Sequence, residues 1–456
     1  MAGLAALLAA CAQQPSLPGA DEPAPQATAC PPELPATVKC LAGKDKAGAF
    51  YLIAMPQDWN GHLVLHAHGG PFLGDPTAKR IEDDLKRWAI VARAGYAWAG
   101  SSFRQGGVAV RAAAEDTERV RGIFIRHVAK PKLTILHGQS WGASVAAKGA
   151  EMFTEGRPYD GVLLTSGVLA GGSRAYDFRL DLRVIYQHLC RNHPRVEEPQ
   201  YPLWMGLPEG ATMSTAELAR RADECLGLGR PAAQRAPDQV ERLKIITDVL
   251  RIPERSVQGH LNWGTFHFQD IARRSGGQPV FGNTDALYQG HPYAVALNAA
   301  VPRYMPDPKA LARFSEDTDP TGRIPVPVLT VHGIHDPTAF VEMQHTFAQT
   351  MAAAGRADSL VQTFTNEHSY LSDATYVALL DALRSRPAPS PRRRRWPKAA
   401  PRPGRHSRPS AASCRTTGRH RWTRGWRRGG AVESEALGSG PSALCSDRAG
   451  KHAECV

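Results

Sequence analysis

The stretch Lys132-Leu-Thr-Ile-Leu-His-Gly-Gln-Ser-Trp-Gly142 decides the fold. Its first five residues make a near-continuous apolar run, the pattern of a strand buried on both faces of a parallel sheet. After His137 comes Gly138-Gln139-Ser140-Trp141-Gly142. From there a run of small residues, Ala143, Ser144, Ala146 and Ala147, continues as a helix able to lie close to the sheet. A G-x-S-x-G match is common by chance. Between a buried strand and a small-residue helix it is specific, because such a turn holds the Ser in a strained conformation with its hydroxyl pointing away from the sheet. Gly138 and Gly142 fit this turn, since a side chain at either would collide with the neighbouring strand or helix. The helix N-terminus favours negative charge near Ser140. Ser140 is the candidate nucleophile; a plain Gly-Ser turn is the alternative.

The same alternation extends outward. Residues 49–55, 62–67 and 96–99 read as strands, and residues 81–94 and 112–128 as helices. Residues 161–165 form another buried strand. The rhythm breaks near Gly171, where helical stretches mix with loops rich in Pro, Gly and aromatics. It resumes with a strand at 327–331, a helix at 340–354, a strand at 360–364 and a closing helix at 370–383. Strands alternating with helices imply a parallel sheet covered on both faces. The expected organisation is one α/β core in two pieces, 47–170 and 324–386, interrupted by a cap insertion at 171–323. Residues 1–46 read as a leader and linker, and residues 387–456 as a disordered basic tail.

A serine nucleophile needs donors for the oxyanion and a base held by an acid. One donor would be the N–H of Trp141, the residue after Ser140. The other should come from the loop after an earlier strand, where His68-Gly69-Gly70-Pro71 sits. Gly70 is the first choice and Gly69 the second; Pro71 has no N–H. Beyond the strand at 327–331 comes His332-Gly333-Ile334-His335-Asp336-Pro337, in which Asp336 is the candidate acid. Asn366-Glu367-His368-Ser369 follows the last strand, and His368 is the candidate base. His332 and His335 are close to Asp336 only in sequence, Glu367 adjoins the His, and His137 is expected to pack under the turn.

These residues, in the order Ser, acid, His, resemble the α/β-hydrolase superfamily over 47–171 and 324–386. The resemblance is closest to secreted or lipid-anchored bacterial hydrolases, loosely similar to the prolyl-oligopeptidase-type catalytic domain. It implies a doubly wound, mostly parallel sheet and a Ser-Asp-His triad that uses no metal and no organic cofactor. Three functions compete. Cleavage of a small-molecule or polymeric carboxylic ester asks least beyond the triad. A peptidase or amidase would need a site for an amine, which Glu197-Glu198 could supply. A non-catalytic binding protein on the same fold is the third. In the cap, Trp204, Trp263 and Phe266 are the candidate pocket residues, and Met205, Phe268, Phe281, Tyr288 and Tyr293 could join them. The cap's own small core is the alternative for each.

Charge and cysteines bear on location. The formal net charge is +12. Residues 387–456 hold 16 Lys+Arg and 4 Asp+Glu, so the rest of the chain is balanced and nucleic acid is not the expected partner; a basic tail with Trp422 and Trp426 that binds nucleic acid by charge and stacking is the alternative. That tail has no apolar periodicity, and out-of-frame reading of a GC-rich gene would give a similar composition. At the other end, an apolar run closes in Leu8-Ala9-Ala10-Cys11 before a polar, Pro-rich stretch. It resembles a bacterial lipoprotein signal, which implies a lipid on Cys11, membrane anchoring, and a periplasmic or outer-membrane location. Cys30, Cys40, Cys190 and Cys225 are then an even set in an exported chain. Three pairings are open, of which Cys30–Cys40 with Cys190–Cys225 is the most local. None has CxxC spacing, which argues against zinc.

Overall fold

The computed structural model describes residues 19, 21–367 and 370–385. Its nine strands are β1 (Gln26–Thr28), β2 (Lys39–Lys44), β3 (Phe50–Met55), β4 (His62–Ala67), β5 (Ala97–Ser101), β6 (Leu133–Gln139), β7 (Gly161–Thr165), β8 (Val328–Gly333) and β9 (Leu360–Thr365). Alternate residues of the central strands feed two cores, one on each face. Leu63 and Leu65 of β4 face one and Val64 the other; Leu136 and Ile135 of β6 divide in the same way. Val162 and Leu164 of β7 likewise oppose Leu163. A strand buried on both sides has no polar face, so its sequence reads as an apolar run.

The sheet order is β1-β2-β3-β5-β4-β6-β7-β8-β9. Pairs from β1 to β5 are antiparallel, and those from β5 through β4 to β9 are parallel. After β4 the chain moves to one side to make β5, then crosses β4 to make β6. The crevice at the carboxyl ends of β4 and β6 is therefore the topological switch point, where ligands bind in open α/β sheets. One face is covered by helices Val110–His127 and Trp141–Met152, through Val120, Ile123, Phe124, Ala143, Ala146 and Ala147. The other is covered by helices Ala78–Arg87 and Asp373–Arg384, through Ile81, Leu85, Tyr376, Leu380 and Leu383.

Two expectations need correction. Residues 1–46 are not leader and linker throughout, because β1 and β2 lie within them and extend the sheet at its antiparallel edge. Leu34, Val38 and Cys40 from this segment join one core. β1 at the sheet edge is exposed throughout, and β2 beside it buries one residue fully, so neither carries an apolar run. The helix expected at 81–94 is two, Ala78–Arg87 and Ala89–Arg93, with a break at Trp88 (φ −100°, ψ 17°). The Trp88 ring is buried against His66, His137 and Tyr376 at 4.7–5.1 Å between ring centres. That contact is tertiary, and no local propensity announces it.

Residues 171–323 are helical. They contribute Phe178–Cys190, Thr215–Leu226, Pro237–Leu250, Glu254–Asn262, Phe268–Arg274 and Pro308–Thr318, with a π-helical turn at Trp263–His267. Lys148, on the helix that follows Ser140, is buried and donates to the carbonyls of Glu316 (3.0 Å) and Asp319 (2.7 Å) where the cap returns to the sheet. Disulfides join Cys30 to Cys40 and Cys190 to Cys225. The second ties helix Phe178–Cys190 to helix Thr215–Leu226. Among the described residues, no helix is long and apolar enough to cross a membrane. Cys11 and residues 387–456 lie outside the described residues.

Candidate active site

Ser140 sits between β6 and helix Trp141–Met152 at φ 55°, ψ −120°, a left-handed conformation that L-residues avoid. Three hydrogen bonds hold it there. Its N–H donates to Thr165 O at the end of β7 (2.9 Å), and its carbonyl accepts from Ala143 N (3.1 Å) and Val168 N (3.0 Å). The glycines on either side are sterically required. A Cβ at Gly138 would lie closer than 3.0 Å to the Gly142 backbone, and one at Gly142 would collide with the carbonyls of Ala67 and His68. The strained serine at the carboxyl end of β6, on this strand order, fixes the architecture. The chain has the α/β-hydrolase fold.

No family model and no curated protein matches the chain. Solved structures similar to it include an esterase from the bacterial hormone-sensitive lipase family (12% identity, 77% of this chain and 86% of that one, TM-score 0.40). Another is a membrane phospholipase A described as a bacterial virulence factor (14%, 77% and 88%, TM-score 0.38). A third is a rice cell wall degrading esterase from Xanthomonas oryzae (12%, 76% and 90%, TM-score 0.37).

Ser140 opens into a cavity of about 270 Å³ that Gly70 and Trp141 also line. Gly70 has φ +71°, and a Cβ there would meet no atom within 4 Å, so its surroundings are open but its conformation favours glycine. At Gly69 the reverse holds, because a Cβ would strike the Gln139 side chain. Pro71, Phe72, Val168, Thr338 and Met343 complete the walls with five residues of the 171–323 segment, Ala175, Tyr176, Arg179, Trp263 and His267. Of the three cap aromatics expected here, only Trp263 lines the cavity. Trp204 and Phe266 are half-buried elsewhere in the cap, and Phe268 and Phe281 stack on each other in its core (4.9 Å between ring centres).

Among the described residues, the wall carries one permanent charge. The Arg179 guanidinium lies over the rings of Trp263 (4.6 Å), Phe178 (4.6 Å) and Tyr176 (5.4 Å), and donates to Ala175 O (3.1 Å). Sequence reasoning missed Tyr176, Arg179 and His267. Nothing local distinguishes His267 among 17 histidines, or shows that a π turn aims it at the cavity.

Asp336 lies three residues beyond β8 and is buried. Its Oδ1 accepts from the N–H groups of Thr338 (2.9 Å) and Ala339 (3.0 Å), which fixes the carboxylate in the loop whose Thr338 reaches the cavity. His368 lies outside the described residues. The other histidines near the acid have different surroundings. His332 is buried, with Nε2 donating to Ala339 O (2.7 Å) and Nδ1 accepting from Gln344 (2.9 Å), and burial lowers its pKa. His335 is exposed. His137 packs beneath the elbow with His66, Nδ1 to Nδ1 at 3.0 Å, and burial holds its pKa down at about 3. Two imidazoles sharing one proton in an apolar pocket are both neutral. Of the acidic pair in the cap, Glu198 is bonded to Arg221 (2.6 and 2.7 Å) and is not part of the cavity wall.

Proposed function

We propose that this chain is a serine hydrolase that cleaves carboxylic esters through an acyl-enzyme. Ser140 attacks the ester carbonyl. His368 takes its proton and later returns it to the leaving alcohol, while Asp336 holds the imidazole tautomer and stabilises the imidazolium. The N–H groups of Trp141 and Gly70, with Gly69 as the alternative second donor, receive the oxyanion. Water then releases the acid by the same steps in reverse. The observation that carries this reading is the strained Ser140 in the wall of a mostly apolar cavity. Strain of this kind costs on the order of 1–3 kcal/mol and persists where function needs it. The aromatic walls suit an acyl group with an apolar or flat body. A peptidase is less well supported, because the Glu198 carboxylate that an amine would need is taken by Arg221.

An exported setting fits the two disulfides, which persist in oxidising compartments. We place the mature protein on a membrane through a lipid at Cys11. Purified protein assayed on p-nitrophenyl esters of graded chain length and on aminoacyl anilides tests the activity. Ester turnover that Ser140→Ala removes is expected. Turnover of anilides in preference to esters would replace the esterase reading with the peptidase one.

A further inference from the structure

One continuous cap segment, helix Glu254–Asn262 running into the π turn Trp263–His267, touches the loops on both sides of the cavity. The His260 ring meets the carbonyl of Pro337, the residue after Asp336, with Nε2 at 2.9 Å. Seven residues on, the His267 ring meets the carbonyl of Pro71, the residue after Gly70, with Nε2 at 2.6 Å. Seven residues are about two helical turns, or roughly 10 Å of axis, enough to bridge the two loops. A proline carbonyl can only accept, so each Nε2 must carry the proton. Both rings are clamped. His260 packs edge-on against Phe178 (4.9 Å between ring centres), and His267 lies flat on Trp263 (4.7 Å, interplanar angle 6°).

We propose that His260 and His267 are positioning residues: together they strap the acid loop and the oxyanion loop to the cap, so that the cap sets catalytic geometry as well as pocket shape. The proposal rests on the hydrolase reading above. Two further features favour a built device. The π turn is held from inside the cap by Thr265, whose hydroxyl meets both Arg183 Nη1 (2.9 Å) and His193 Nε2 (2.9 Å), and π turns are frequent at functional sites. Burial also lowers the His267 pKa to about 4, so the ring is neutral and the Pro71 carbonyl sets its tautomer. An acyl group packed on Trp263 would press on the ring that holds Pro71.

The test compares His260→Leu and His267→Leu, which remove the donor, with His260→Gln and His267→Gln, whose amide N–H can still reach a carbonyl. The readouts are kcat and KM on p-nitrophenyl butyrate, the rate of fluorophosphonate labelling at Ser140, and the unfolding temperature. The Leu variants should lose about 10- to 100-fold in kcat and labelling rate, with KM changed by less than about threefold, because misplacing a catalytic group by an ångström costs on this order. The Gln variants should recover most of the loss. Wild-type rates in the folded Leu variants would overturn the strap, as would equal losses in Leu and Gln, which would mean packing alone. A wild-type protein that fluorophosphonate does not label would overturn the hydrolase reading instead.

Discussion

Ser140 keeps its left-handed backbone because Thr165 O, Ala143 N and Val168 N hold it from three sides. Ser140→Ala should leave the fold intact and abolish ester turnover. Its glycine neighbours cannot yield in the same way. Gly142→Ala drives a Cβ into backbone carbonyls and should cost about 1–3 kcal/mol in chemical denaturation, with activity lost. Gly70→Ala meets no atom, so its cost is the left-handed strain alone, about 1–2 kcal/mol, with kcat lowered more than stability. Asp336→Asn should lower kcat by about 10⁴-fold, the loss seen when a triad acid becomes an amide. Asp84 makes a pH-dependent case. It is buried, its Oδ2 has no partner among the described residues, and burial raises its pKa to about 8. Its folded pKa lies above the unfolded value near 4, so the folded state binds the extra proton between them. Its contribution is present below pH 4 and is lost as pH rises through 8. Thermal melts should show Asp84→Asn more stable than wild type at pH 9 and equal to it at pH 4; equal melts at pH 9 would show that the carboxylate is not desolvated.

Among the elements, the parallel strands were the most legible. β4 and β7 fall on the residues their apolar runs predict, because burial on both faces leaves a signal no other element gives. The turn at Ser140 was legible for a related reason: its glycines answer a collision that any such turn creates. β1 and β2 were hidden, since Pro31, Pro32 and Pro35 separate two short segments with almost no buried face. Which residues of 171–323 face the cavity was not legible. Trp263 reaches the cavity while Trp204 and Phe266 do not, and that choice is made by helix packing and a π turn rather than by composition. Cys190–Cys225 ties the helix that begins beside Tyr176 and Arg179 to the next cap helix. Opening this 35-residue loop should cost about 3–4 kcal/mol in the chain-entropy picture. Because the bond joins two helices of 171–323, Cys190→Ala with Cys225→Ala should change the profile of kcat/KM across ester chain lengths while Ser140 still labels. An unchanged profile would separate the disulfide from the pocket.

At the scale of the whole molecule, the net charge of the sequence comes from residues 387–456, while the cavity lies at the switch point of the sheet. Removing those residues should leave the unfolding temperature and ester turnover unchanged; a shortened protein that fails to fold would show that they pack on the body. The lipid proposed at Cys11 should appear as an acylated peptide beginning at that residue when the membrane fraction is analysed by mass spectrometry. The central claim is that one strained serine performs nucleophilic attack, and active-site labelling addresses it most directly. Protein treated with a fluorophosphonate and digested should carry one adduct, on the peptide containing Ser140, and Ser140→Ala should carry none. An adduct on another residue, or no adduct on a folded protein, would contradict it.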